Sequence, residues 1–332
     1  MIIFLKFEEN TFLRFIFILL LFFGFASFLC NEKPLLIIHN HDLFCPVLFS
    51  YENKDFQFQD NTDLDYHDIR FQQYLKDKGG FILFPPVTYS AATIDVYANE
   101  SFPILPSKNH WLGTDDYGRD IFAMIMYGSR NGMIVGFIVA ILCSFLAIVF
   151  ATIQGYFGGK ADLFMQRICE MIACIPLVYT LILFSSLSKA SYVSYILVMV
   201  IFGWVSLSSV LRIEVLKLKT LDFCLSAHIS GLSSFAIIRK HIIPNLFSVV
   251  KSYYPFLFGG VFSTLTAVDY LGYKIINDSI SLGDVTNYAQ KNLDQWWVIS
   301  SVVFIYILIL VPLTVELQKN KKYNIMRLGT TL

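Results

Sequence analysis

The stretch "GYFGGKAD", Gly155 to Asp162, holds the Gly-Lys pair that a phosphate-cradling loop would use. That loop needs the order G-x-x-x-x-G-K-[ST], so that backbone N–H groups surround the phosphates and a hydroxyl meets the metal. With Gly159 and Lys160 as the pair, the first glycine position falls on Gln154 and the hydroxyl position on Ala161. Both are wrong, and no bound nucleotide is expected. Gly155, Gly158 and Gly159 read instead as a tight turn closed by Lys160. Histidines stand at 39, 41, 67, 110, 228 and 241. His39 and His41 are spaced to share one strand face, but no third ligand is fixed and no zinc spacing is present. Cys143, Cys169 and Cys174 fall in apolar runs, and Cys30 and Cys45 are too isolated for a disulfide framework. The cysteines read as small buried hydrophobes. No catalytic residue, metal or cofactor is expected.

The elements that would position any site are membrane helices. The chain is 56% hydrophobic and 15% charged, against about 25% charged in soluble domains. Its net charge is zero, so no basic field points to nucleic acid. A span needs about 20 mostly apolar residues. Six candidates stand at 11–30, 132–153, 169–187, 192–212, 246–271 and 296–317, which predicts an all-α integral membrane protein. The first could serve as a signal peptide, but bulky Leu29 before Cys30 makes a poor cleavage site and favours an uncleaved anchor. Glu170 and Asp269 lie near span ends. A proton-driven carrier needs an ionisable group at mid-depth, so the energy source is expected elsewhere.

Lysine and arginine in the short loops set orientation. With the N-terminus inside, the inner segments hold Lys160, Arg167, Arg212, Lys217, Lys219, Arg239, Lys240 and the tail cations, and the short outer loops only Lys189, Lys274 and Lys291. Both termini are expected in the cytoplasm. The domain reading is an N-terminus and anchor over 1–30, an extracytoplasmic insertion of short strands and turns over 31–129, a membrane domain over 130–317 and a cytoplasmic tail over 318–332. In "GRDIFAMIMYGSRNG" the apolar residues Ile121, Phe122, Ile125 and Met126 form a stripe. It predicts an interfacial helix ahead of the second span, or else an early start to that span.

The cytoplasmic loop 213–245 contains "LDFCLSAHISGLSSFAIIRKHIIPN". It is too polar to cross a bilayer yet keeps a helical apolar pattern. Asp222 is a plausible N-cap, Gly231 permits the left-handed conformation that ends a helix, and Ser233 or Ser234 can cap a second helix. That second helix carries Phe235, Ile238 and Ile242 on one stripe, with Arg239 and Lys240 off it, and Pro244 should terminate it or start the next span. A short amphipathic helix with exposed apolar surface suits either a partner's groove or the membrane surface.

Its spelling resembles a known family. The frame A-x-x-x-G-x9-H-I-I-P-N, from Ala227 through Gly231 to His241, Pro244 and Asn245, is similar to the "EAA" loop of binding-protein-dependent ABC importer permeases. "HWLGTDDYGRDIFAMIMYGSR" (His110 to Arg130), "GYFGGKADLFMQRICEMIACIP" (Gly155 to Pro176) and "LTAVDYLGY" (Leu265 to Tyr273) resemble the C-type permeases of dipeptide and oligopeptide importers. The insertion with "NEKPLL" and "LFPPVTYS" resembles that of the Yej-type permeases, associated with microcin C uptake. Leu225-Ser226 replaces the family's Glu-Ala. The resemblance implies a type I ABC importer permease fold of six transmembrane helices in the inner membrane, with no enzymatic activity of its own. It implies a second permease subunit as heterodimer partner, ATP-binding cassette subunits, a periplasmic peptide-binding protein, membrane lipid and a peptide substrate. Ala227, Gly231, His241, Pro244 and Asn245 become the residues of ATPase coupling. A stand-alone channel or secondary carrier is the alternative.

Overall fold

The computed structural model describes residues 18–19, 22–39, 42–56, 58, 64–96, 101–187, 191–273 and 280–329, with side chains to 312 apart from that of Leu187. Residues 11–17 and 20–21 of the expected first span, 11–30, and the loop 274–279 lie outside these residues. In chain order the helices are α1 (Ala26–Leu29), α2 (Ile69–Asp77), α3 (Ile121–Phe157), α4 (Gly159–Ala173), α5 (Leu177–Leu187), α6 (Tyr192–Leu218), α7 (Asp222–Ile229), α8 (Ser234–Ile237), α9 (Ile243–Tyr270), α10 (Leu282–Lys291) and α11 (Trp296–Gly329). Three strands, β1 (Leu36–His39), β2 (Asp42–Phe44) and β3 (Phe81–Leu83), precede α3.

The described parts of 16–131 and 278–304 form one compact unit. Its sheet has the order β2-β1-β3, all antiparallel, with Ile37 opposite both Phe44 and Ile82. Asp68 caps α2 by accepting from Arg70 N at 2.8 Å. Phe71 and Leu75, one turn apart on α2, close over Ile37, Phe56 and Tyr66 to make a small core. Phe56 and Phe71 meet edge to face at 5.5 Å, a geometry that adds to their area burial. Helix α10 starts with a capping box between Ser281 and Asp284. It lies so close to α3 that a Cβ on Gly128 would sit 2.5 Å from Leu282 N.

The described parts of 132–277 and 305–332 form the second unit. By length and composition α3 and α6 are fit to cross a membrane, and the bent pair α4–α5 brings the total to three if it counts as one span. Small residues let these helices approach. A Cβ on Gly132 would meet the Phe262 ring at 2.8 Å, and one on Gly136 the Phe258 ring at 3.2 Å. Phe150 stacks on Trp204 at 4.3 Å.

The stripe at 121–126 takes the second of its two expected forms, an early start to the span rather than a separate helix: α3 runs unbroken from Ile121, because nothing between there and Met133 removes a backbone donor. Other elements differ from expectation. The expected span 169–187 is two helices bent by 64°, since Pro176 pushes Ile175 out of the helical region. Gly155 lies inside α3 rather than in the turn, and only Gly158 and Gly159 have positive φ, at 65° and 56°. Helix α9 has the length of a span, but Tyr253, Tyr254, Pro255 and its hydroxyl residues make it more polar than α3 or α6.

Candidate functional site

The segment after α6 is built by its caps. Helix α7 begins at Asp222, so this residue sits in the first turn and Leu221 occupies the cap position without a side-chain bond. That corrects the expected Asp222 cap. The carboxylate still opposes the positive end of the helix. Gly231 has φ 78°. Its N–H donates to His228 O at 3.0 Å, and Leu232 N–H donates to Ala227 O at 3.2 Å. These two bonds are the Schellman pair that ends a helix through a left-handed residue. Ser233 then caps α8 by accepting from Ala236 N at 3.4 Å.

The second helix does not stop at Pro244. Residues Ile238–Ile242 form one π-helical turn, and Ile243 N–H donates to Ile238 O. Pro244 follows in the first turn of α9, where its missing N–H needs no partner. The wider turn absorbs the proline without a break. It also rotates the register. Ile237 and Ile242 are the buried residues, Ile238 is half-buried, and Phe235 is 72% exposed, so the predicted Phe235–Ile238–Ile242 stripe is not one buried face.

Of the expected coupling residues, Ala227 is buried, His241 half-buried, and Gly231, Pro244 and Asn245 exposed. Asn245 Nδ2 donates to His241 O at 2.6 Å. The His241 ring lies 6.0 Å from Phe223 of α7, which brings both halves of the segment together. The most exposed large apolar residue of the segment, Ile229, is one that the sequence reading did not single out. Ile229 is 86% exposed and flanks Gly231 opposite Phe235, with Leu225 at 49%. Arg239, one turn after Phe235, and Lys240 are exposed as well. The arrangement is an apolar ledge with a basic edge, bent at Gly231.

A second constellation lies in the other unit, within "HWLGTDDYGRD". Asp115 Oδ1 accepts from Tyr117 N and Arg119 N at 3.0 and 2.9 Å, and its Oδ2 from Arg119 Nε at 2.7 Å. Gly118 turns the loop at φ 81° and packs against the Phe102 ring. Asp120 starts α3, accepting from Ala123 N at 2.8 Å. His110 is buried with Nδ1 2.9 Å from Asp120 Oδ2 and Nε2 3.2 Å from Asp95 Oδ2. Tyr89 stacks on its ring at 4.4 Å and donates to Asp95 Oδ2 at 3.1 Å. A neutral imidazole has one N–H, so only the imidazolium satisfies both carboxylates. Burial opposes that charge, but the hydrogen bonds to Asp120 and Asp95 and their negative charges hold the His110 pKa above its usual value.

A raised folded-state pKa gives stability that is complete below the unfolded value of about 6.5 and is lost as pH rises through the folded value. Thermal unfolding of the purified chain is therefore expected to move to lower temperature as pH rises above the ordinary imidazole value of about 6.5. His110→Gln is expected to flatten the dependence in that window. A wild-type midpoint that does not fall would show that the fold does not hold His110 protonated.

Comparison with known proteins fits the helical plan. Residues 144–317 match the family model described as "Binding-protein-dependent transport system inner membrane component". The chain is 32% identical over 301 residues to the inner membrane ABC transporter permease protein YejE of Escherichia coli K12, covering 90% of this chain and 88% of that one. It is 27% identical over 308 residues to the peptidoglycan transport system permease protein YejE of Agrobacterium fabrum, covering 85% and 80%. It is 28% identical over 194 residues to the dipeptide transport system permease protein DppC of Bacillus subtilis, covering 58% and 61%. With a family match that takes in α4 to α10 and a relative aligned along nine-tenths of its length, the chain belongs to the inner-membrane components of binding-protein-dependent transport systems.

Proposed function

We propose that the chain is a permease subunit of a peptide ABC importer: a six-span, type I bundle with both termini in the cytoplasm and the 31–129 insertion outside. Relatives named for dipeptide, oligopeptide and peptidoglycan transport support peptide as the substrate class. The chain itself does no covalent chemistry. ATP hydrolysis in separate cassette subunits drives it, a second permease completes the path, and a periplasmic binding protein delivers the peptide.

The observation that carries this reading is the bent ledge at 222–242. Exposed Ile229 and Phe235 on either side of Gly231, with Arg239 and Lys240 at the edge, offer apolar area that water alone leaves unfavourable. A helix laid into a groove of the ATPase buries that area. Closing of the ATPase dimer on ATP then pulls the ledge, and the rigid turn at Gly231 passes the pull to α6 and α9. Ala227 packs the ledge inward, and Pro244 and Asn245 shape its exit into α9.

Gentle detergent extraction followed by affinity capture is expected to bring down an ATPase and a second permease with this chain. Proteoliposomes holding that complex are expected to take up labelled peptide only with ATP and binding protein. Uptake by this chain alone, without ATP, would overturn the reading in favour of a stand-alone channel or secondary carrier.

A further inference from the structure

The turn at Gly158–Gly159 sits beside a three-helix joint. At the end of α3, Gly155 presses on α6: a Cβ there would lie 2.6 Å from Val215 Cβ and 3.1 Å from Arg212 O. Lys219, the residue after α6, donates through Nζ to Gly155 O at 3.0 Å. In the first turn of α4, Asp162 takes Arg212 in a bidentate grip, Nε to Oδ1 and Nη2 to Oδ2, both at 2.6 Å. The two side chains are 13% and 24% exposed. One short stretch of α6, Arg212 to Lys219, thus holds both neighbours at once. Thr220 and Leu221 alone then separate Lys219 from α7.

We propose that the Asp162–Arg212 pair, with Lys219 on Gly155 O, is the joint through which motion of the coupling ledge reaches α3 and α4. The fork geometry resists rotation as well as separation, which a lysine–carboxylate pair would not. A mere surface ion pair would be worth little, whereas this one is mostly shielded and shares its helix with a glycine-only contact. Asp162, Arg212 and Lys219 are positioning residues: they touch neither peptide nor nucleotide. Without them α7 and the end of α6 would move while α3 and α4 lagged, and hydrolysis would run without carrying peptide. This deepens the importer reading and rests on it.

The test uses the full complex in proteoliposomes, with ATP hydrolysis and labelled-peptide uptake measured on the same sample. Asp162→Ala is expected to lower peptide moved per ATP at least about tenfold, the step that loss of one well-formed charged pair corresponds to, while assembly with the ATPase and basal hydrolysis hold. Asp162→Glu, and the exchange Asp162→Arg with Arg212→Asp, are expected to recover most of the ratio. An idle or purely structural pair would leave the ratio unchanged and alter only the amount assembled, and that result overturns the proposal. If Asp162→Ala does not accumulate, Asp162→Asn and Lys219→Met carry the same comparison. A wild-type complex with no ATP-driven uptake would sink the importer reading instead. The joint is then judged on amide exchange of 222–232 in the chain alone: faster in Asp162→Asn if the joint holds the segment, and unchanged if it does not.

Discussion

Gly231→Asp is expected to abolish peptide uptake while the chain still inserts and accumulates. At φ 78° an L-residue is strained, by about 1–2 kcal/mol, and aspartate tolerates that region better than most. A Cβ at this position meets nothing within 4 Å, so the fold itself loses little. The loss comes from charge. Aspartate would stand on the ledge between Ile229 and Phe235, where docking strips water away, and a buried unpaired carboxylate costs several kcal/mol. That is about 100-fold or more in affinity for the ATPase. Gly231→Asn keeps the left-handed turn without the charge and is expected to retain most uptake. Capture of the ATPase on each variant, beside uptake, separates the two effects. Uptake at the wild-type rate in Gly231→Asp would remove the coupling role.

The end of α7 was readable because one glycine at the right offset is a local signal: Gly231 needs only its own φ and the carbonyls of Ala227 and His228. The long apolar runs of α3 and α6 were readable for the same reason, since composition over twenty residues decides membrane partition. The bend at Cys174–Pro176 carried its own proline signal, but an average over an apolar window does not register one residue. The π turn before Pro244 had no signal at all: a proline that ends a helix and one that a wider turn absorbs are spelled alike. Long-range pairs were the least legible. Asp162 and Arg212 are 50 residues apart, and nothing local to either distinguishes it from an ordinary inner-face charge. His110 showed only a spelling, whereas its chemistry depends on Asp95 arriving from a loop 15 residues away.

His110→Leu is expected to be the most destabilising single change in the described chain, and a second substitution at Asp95 identifies the cause. Leucine fills a similar volume beneath Tyr89 but removes the imidazolium that lies between Asp95 and Asp120, which are 9% and 0% exposed. Two carboxylates would then face one cavity without the proton donor each had used. Removing one partner from a buried ion pair costs about 3–5 kcal/mol, and here one imidazolium is taken from two carboxylates at once. Asp120 also starts α3 through Ala123 N, so strain at this carboxylate reaches the first turn of the longest described helix. Adding Asp95→Asn to His110→Leu is expected to restore much of the loss at neutral pH, since an amide is neutral and still accepts from the Tyr89 hydroxyl. A thermal midpoint for His110→Leu equal to that of the wild type at neutral pH would mean that the imidazole carries no charge in the fold. The same midpoint for His110→Leu with and without Asp95→Asn would mean that repulsion between the acids is not the cost.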